Sequence, residues 1–286
     1  MAEGLLKSYQ TLFERETLTS RVGDALTERR ANVSAILKKW FDILDLFWLG
    51  STVNGTAITS SDADILIALD RHHVHGRDSH SILLEISELL CRHGLRAQPD
   101  GRCVRVCYVS GPNVDVVPAY PLEGTRLYHI PDEGDDMWIF SDPIGHQMSM
   151  KALSHQKKSL IRLMKIWNVL HASPLTSYYI DILGITTSVG DENISSCIPA
   201  AAKEFFRYAE RCLIMSLPHP TIGHPTLGGV PDVGIYLTDQ NRDLAENLVS
   251  HAVVDLEHSY RSWLREDDRR ACEYARNIFG CRFQET

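Results

Sequence analysis

Apolar side chains recur three or four positions apart through residues 5–47, at Leu18, Val22, Leu26, Val33, Ile36, Leu37, Trp40 and Phe41, with charges between them. That spacing predicts a long amphipathic helical region. The apolar run Leu44-Asp45-Leu46-Phe47-Trp48-Leu49 leads into residues 50–69, which read as a turn followed by a strand ending in Ile65-Leu66-Ile67-Ala68-Leu69. Residues 79–93 return to helical spacing and stop at Gly94. Alternation in Cys103-Val104-Arg105-Val106-Cys107-Tyr108-Val109 and in Asn113–Ala119 predicts two further strands across 102–120. The first part of the chain is therefore an α/β lobe.

A loop around Pro131, Asp132, Glu133 and Gly134 precedes Trp138-Ile139-Phe140-Ser141-Asp142-Pro143, which ends in a breaker and leads to a mainly helical half. Residues 157–170 set Lys158, Arg162 and Lys165 on one helical face and Leu160, Leu163, Met164 and Trp167 on the other. Another helix starts at Ser177 after Pro174, and the Pro/Gly-rich stretch 216–236 is expected to cross the surface between helices. The domain reading is 1–145 for a lobe with its N-terminal helix and 146–286 for a helical lobe, with the N-terminal helix bracing both.

Composition narrows the class. The chain has 286 residues, 44% of them hydrophobic, enough for a sizeable core and a cleft. A net charge of −8 and a pI near 5.9 argue against a broad basic surface for nucleic acid, so nucleotides fit better than polynucleotides. Seven cysteines without a CxxC pair, and the absence of a signal peptide or long apolar segment, read as a soluble, reduced, cytoplasmic protein with no membrane association. His72, His73, His75 and His80 match no zinc spacing and read as a solvated loop.

Candidate chemistry centres on residues 50–69. Asp62 and Asp64 are two apart and run into a strand, so both project from one face. Their repulsion raises a pKa or calls for a cation, for which oxygen-ligated Mg²⁺ is the usual solution. Gly50-Ser51 can bring backbone N–H groups and a hydroxyl to a polyphosphate, though alone it is an ordinary turn. Asp115 among valines needs a metal or basic partner, or else lies at an exposed strand end. The Lys165 face is either a phosphate grip or a solvated surface. Ser177 is either an anion donor or an N-cap, and Tyr178 either a stacking platform or packing.

An apolar residue, Gly50-Ser51, ten intervening residues and then Asp62-Ala63-Asp64-Ile65 resembles the signature of the nucleotidyltransferase fold shared with DNA polymerase beta. With Gly55-Thr56, Val114-Asp115-Val116-Val117-Pro118-Ala119, Leu163–Trp167 followed by Ser177-Tyr178, and the ending Ala275–Phe283, most of the chain resembles the bacterial cGAS/DncV-like nucleotidyltransferases, the CD-NTase family. The resemblance implies a bilobed α/β (α+β) fold with a mixed sheet in the N-terminal lobe, a long N-terminal spine helix and a helical C-terminal lobe. It implies that Asp62, Asp64 and Asp115 bind two Mg²⁺ ions, with Mn²⁺ able to substitute. Gly50 and Ser51 would hold the donor triphosphate, Lys165 and Ser177 its β and γ phosphates, and Tyr178 would stack on the base.

The family makes cyclic di- or trinucleotides from NTPs as alarm signals in anti-phage defence, acting on a separate effector protein. Gly55-Thr56-Ala57-Ile58 is most similar to members with adenine-rich products, so ATP is the expected substrate. A monomer is expected. The zinc-binding insertion of the animal DNA sensor is missing, so activation by DNA or double-stranded RNA is not expected. Gln284-Glu285-Thr286 lacks the terminal Gly or Ala of members conjugated through their C-terminus. The implied chemistry is attack of a ribose hydroxyl near Asp115 on an α-phosphate with loss of pyrophosphate, repeated with roles exchanged to close a ring. Alternatives are a transferase that adenylylates a small molecule or protein, an RNA-tailing enzyme, and a catalytically silent nucleotide-binding module.

Overall fold

The computed structural model describes residues 3–132, 137–217, 233 and 237–283. Most of the Pro/Gly-rich stretch 216–236, Glu133 and Gly134, and the tail Gln284–Thr286 lie outside the described residues. The expected helical region over 5–47 is divided. Helix α1 spans Gly4–Glu16 and α2 spans Ser20–Leu37. Thr17 and Thr19, β-branched and extended at φ −79°, ψ 137° and φ −72°, ψ 154°, separate them. After α2 the period changes to that of a strand, β1 (Ile43–Leu49). Branched and aromatic side chains in that run favour the pleated edge position it takes.

Leu18–Lys151 forms one compact unit, and residues 1–17 with 152–286 form the other. In the first, β1 is followed by the one-turn helix α3 (Ser51–Asn54), β2 (Ala63–Leu69), α4 (Arg71–Val74), α5 (Ser79–Arg92), β3 (Arg96–Asp100), β4 (Cys103–Cys107), β5 (Val114–Pro121), β6 (Tyr128–Pro131), β7 (Trp138–Ser141) and α6 (Pro143–Ala152). The sheet order is β1-β2-β5-β4-β3, with β6 on β5 and β7 on β6. It is mixed: β2 and β5 run parallel and every other pair is antiparallel.

Alternation decides which face is which. Ile65, Ile67 and Leu69 of β2, Val104 and Val106 of β4, and Val114 and Val116 of β5 join a core with Leu26, Val33 and Leu37 of α2 and Ile82, Ile86 and Leu90 of α5. The opposite face holds Leu66, Ala68 and Ala119. Asp78 caps α5 by accepting from the Ser81 N–H at 2.7 Å, and Gly94 follows its end at φ +80°, as the sequence predicts. Pro143, expected as a breaker, is instead the first residue of α6, where its missing N–H leaves no bond unmade. Asp142 completes that start, accepting from the Gly145 N–H at 2.8 Å.

The other unit contains α1 together with α7 (His155–Leu170), α8 (Ser177–Thr186), α9 (Asp191–Ser196), α10 (Ile198–Ile214), α11 (Asp239–Leu264) and α12 (Asp268–Phe279). Trp167 meets Phe206 edge-on at 5.4 Å in its core. The chain's terminal aromatic motif also packs here: fully buried Phe279 and Phe283 close on Tyr9 of α1 at 5.9 and 5.0 Å. Among the described residues no helix is long and apolar enough to cross a membrane.

Candidate active site

Because β2 and β5 are parallel and in register, Asp64 lies directly beside Asp115, with Ala63 beside Val114 and Ile65 beside Val116. Adjacent strands stand about 4.8 Å apart, so the two acidic side chains are neighbours on the face opposite the α2 and α5 core. Asp62 joins them at the mouth of β2. Its Oδ1 accepts from the Asn113 N–H at 3.0 Å, while the Ala63 N–H donates to the Asn113 carbonyl at 3.0 Å. The three candidate acids thus lie at the N-terminal ends of β2 and β5, Asp64 and Asp115 set by the strand register and Asp62 by the Asn113 amide.

Gly50 follows β1, whose Leu49 pairs with Asp64. Its backbone has φ +77°, and a Cβ built on it would stand 1.7 Å from Asp64 Oδ2. Both the conformation and the space admit only glycine. The Gly50 carbonyl accepts from the Val53 and Asn54 N–H groups, turning Ser51 into α3 beside Asp64. Arg30 of α2, 4% exposed, fastens this turn by donating to the Leu49 carbonyl at 3.2 Å and to the Thr52 hydroxyl, with its guanidinium 5.4 Å from the Trp48 ring. Burial lowers its pKa from the ordinary arginine value, and the charge of Asp64 opposes that.

Arg105 is the site's other cation, and nothing in the sequence reading singles it out. It is the β4 partner of Asp115 across an antiparallel pair. Nε donates to Asp115 Oδ1 at 2.9 Å and Nη2 to Oδ2 at 2.8 Å, a two-pronged contact. Nη1 is 2.6 Å from Asp100 Oδ2, and Nη2 is 3.7 Å from Asp62 Oδ2. The Asp115 hydrogen bonds hold its pKa well above the ordinary value. The signal was available: Arg105 in Cys-Val-Arg-Val-Cys and Asp115 in Val-Asp-Val are single opposite charges on apolar strands, which are natural cross-strand partners.

Asp62, Asp64 and Asp115 offer the oxygen donors that a divalent cation takes. Among the described residues, however, no three His, Cys, Asp or Glu side chains converge on one point. Asp115 is turned to Arg105 with both oxygens. The donor set suits such an ion, and Asp115 must change partner to join it.

Lys165, Ser177 and Tyr178 belong to the helical unit. Lys165 is not part of a solvated stripe with Lys158 and Arg162. It is 3% exposed, and its Nζ stands 2.8 Å from Asp181 Oδ1 of α8. Gly184 explains how α7 and α8 come so close, since a Cβ there would lie 2.3 Å from Ile161. The cap of α8 is Thr176, whose Oγ1 accepts from the Tyr179 N–H at 3.1 Å, so Ser177 is the exposed first helical residue and not the N-cap. Asp181 lies four residues after Ser177, on the same face of α8. Tyr178 is half-buried, and the packing aromatic is fully buried Tyr179.

Residues 5–106 match the family described as "Poly(A) RNA polymerase, mitochondrial-like, central palm domain". No curated protein matches the chain. Among solved structures, Escherichia coli MS115-1 CdnC with ATP matches at TM-score 0.77 and 18% identity, covering 98% of this chain and 99% of that one. The Bradyrhizobium diazoefficiens CD-NTase CdnG in complex with GTP matches at 0.71 and 11%, covering 96% and 98%. The fold is that of the CD-NTases. Vibrio cholerae DncV, a cyclic AMP-GMP synthase solved with a linear intermediate, matches at 0.62 and 13%, covering 99% and 86%. The CD-NTase fold expected from the Gly-Ser and paired-Asp motifs, with its mixed sheet and helical second part, is the fold observed.

Proposed function

We propose that this chain is a nucleotidyltransferase that joins nucleoside triphosphates, ATP among them, into a cyclic di- or trinucleotide and releases pyrophosphate. The observation that carries the reading is the parallel register of Asp64 beside Asp115, with Gly50 held against Asp64 so closely that no side chain fits between. That arrangement supports reading the Gly50-Ser51 turn as a polyphosphate cradle next to paired carboxylates. Support comes from similar folds solved with ATP, with GTP and with a linear dinucleotide.

In this reading the Gly50-Ser51 turn receives the donor triphosphate, and Arg30 keeps the turn in place from behind. Asp62, Asp64 and Asp115 would hold two divalent ions, Mg²⁺ or Mn²⁺, which when bound supply the positive charge that offsets developing charge on the transferring phosphate. Asp115, at the β5 end of the row, orients the acceptor ribose hydroxyl. Phosphate contacts of Lys165, paired with Asp181 at 2.8 Å, and of Ser177 are assigned on the family resemblance alone. Tyr178 offers its ring to the base. Catalysis is then chiefly positioning and charge neutralisation. We assign the product the role of a signal to a separate effector in anti-phage defence. Escherichia coli MS115-1 CdnC, of similar fold, is solved in complex with HORMA-deltaN, which supports a protein partner as part of this reading.

The match to a poly(A) polymerase palm favours a second reading, addition of nucleotides to an RNA end, which the net charge of −8 disfavours. Purified protein incubated with the four NTPs and Mg²⁺ or Mn²⁺, with and without RNA, separates them. Phosphatase-resistant products of two or three nucleotides, formed without RNA and seen by mass spectrometry, are expected. Elongated RNA with no such product would establish the tailing reading instead.

A further inference from the structure

We propose that Arg105 is the resident counter-cation of the carboxylate row, a positioning residue that holds Asp115 until a divalent ion displaces it and so makes filling of the Asp115 position the later, weaker cation-binding step. The inference rests on the metal-dependent reading above and adds the order in which that site fills.

Three features of the geometry lead to it. Arg105 takes both oxygens of Asp115 at once, at 2.9 and 2.8 Å, so no cation can bind that carboxylate in a chelating manner without breaking the two-pronged contact. The guanidinium is also shared: Nη1 is 2.6 Å from Asp100 and Nη2 is 3.7 Å from Asp62. Arg105 therefore stands among two of the row's carboxylates, Asp115 and Asp62, and Asp100 beside them as their common positive charge. Finally, Asp100 is a place for it to stay. Asp100 pairs with Cys103 at the far end of the β3–β4 ladder, on the side of Arg105 away from β5. When the contact with Asp115 opens, Arg105 keeps its Asp100 partner and swings without leaving the sheet.

Side-chain exposures of 35% for Arg105 and 41% for Asp100, against 12% for Asp115, put the exchange at the solvent edge, where an ion pair is cheap to rearrange. Asp62 and Asp64 have anchors of their own, although Arg105 Nη2 also stands 3.7 Å from Asp62 Oδ2. Asp62 is set by the Asn113 amide, and Asp64 by its strand and by Gly50.

Mn²⁺ alone serves as the probe, titrated into the nucleotide-free full chain and followed by electron paramagnetic resonance and calorimetry. Wild-type protein is expected to bind Mn²⁺ in a manner that Asp62→Asn with Asp64→Asn abolishes. Arg105→Gln should tighten the weaker step by about tenfold or more, as loss of a charge-assisted pair implies. Arg105→Lys, which keeps the charge but loses the two-pronged contact, should fall between. Asp100→Asn removes the alternative partner, so Arg105 holds Asp115 harder and Mn²⁺ binds more weakly. A merely structural role would weaken binding in both Arg105→Gln and Asp100→Asn. Unchanged or weaker Mn²⁺ binding in Arg105→Gln, with wild-type binding intact, overturns the role of Arg105 alone. Absence of any Asp62- and Asp64-dependent binding in the wild type removes the metal-dependent reading and this inference together. If Arg105→Gln does not fold, the Arg105→Lys titration decides, and Mn²⁺ binding no tighter than wild type there overturns the proposal.

Discussion

At the scale of single residues, Gly50 and Asp181 each do something no other side chain could. Gly50→Ala places a methyl in a left-handed backbone and against Asp64 Oδ2. The backbone conformation costs about 1–2 kcal/mol. The displaced carboxylate is the larger effect: turnover should fall by roughly a hundredfold or more, since misplacement of a reacting group by about 1 Å has that consequence. Steady-state pyrophosphate release together with a thermal melt checks this, and a variant with normal turnover would detach Gly50 from the site. Asp181→Ala removes the carboxylate 2.8 Å from the buried Lys165 ammonium. Removing one partner of a buried ion pair costs about 3–5 kcal/mol, so Tm should drop on the order of 10 °C. Adding Lys165→Met should restore much of that stability without restoring nucleotide use. Failure of the second change to recover Tm would mean that the pair is not what holds α7 to α8.

At the scale of elements, the strands β2, β4 and β5 and the start and stop of α5 were legible, because period-2 alternation and caps are local. The break at Thr17–Thr19 was not, because apolar spacing continues across it and only the extended torsions of two threonines separate α1 from α2. Nor was β1 seen as a strand, since Ile43–Leu49 mixes exposed and half-buried positions as an edge strand does. The candidate acids could be picked out in the sequence, Asp62 and Asp64 by their spacing and Asp115 as a lone charge among valines, whereas their partners could not. Arg105 and Arg30 become visible only when register and packing are known, since they reach Asp115 and the Leu49–Thr52 turn from other elements. Likewise, the sequence left Lys165 open between a phosphate grip and a solvated face, because helical periodicity shows which residues share a side, not what covers it.

The β5–β6–β7 ladder carries a pH effect of its own. His129 stacks on Tyr120 at 4.4 Å and packs on Phe140 at 4.6 Å. Burial, and then the charge of Arg71, lower its pKa below the ordinary value. The unfolded chain therefore takes up a proton near pH 6.5 that the folded chain resists, so this contribution is complete above that pH and is lost as pH falls through it. Tm should decrease between about pH 7.5 and 5.5, and His129→Gln should make that decrease smaller. An identical pH slope in the variant would assign the effect elsewhere.

At the scale of the whole molecule, an acidic chain with a CD-NTase fold carries its paired acids, its glycine turn and two arginines in the sheet unit, and Lys165, Ser177 and Tyr178 in the helical one. Under the proposed function, the acids of the sheet unit are expected to be indispensable to chemistry yet dispensable to folding. In Asp62→Asn with Asp64→Asn, the amide oxygen of residue 62 can still accept from the Asn113 N–H, and relief of repulsion between neighbouring acids offsets what is lost. The decisive measurement compares wild type and this double variant, each incubated with NTPs and Mg²⁺ or Mn²⁺, by mass spectrometry of phosphatase-resistant products alongside a thermal melt. A cyclic product from the wild type, none from the double variant and closely similar melting temperatures are predicted. A cyclic product still made by the folded double variant, or none made by the wild type under any NTP and metal combination, would contradict it.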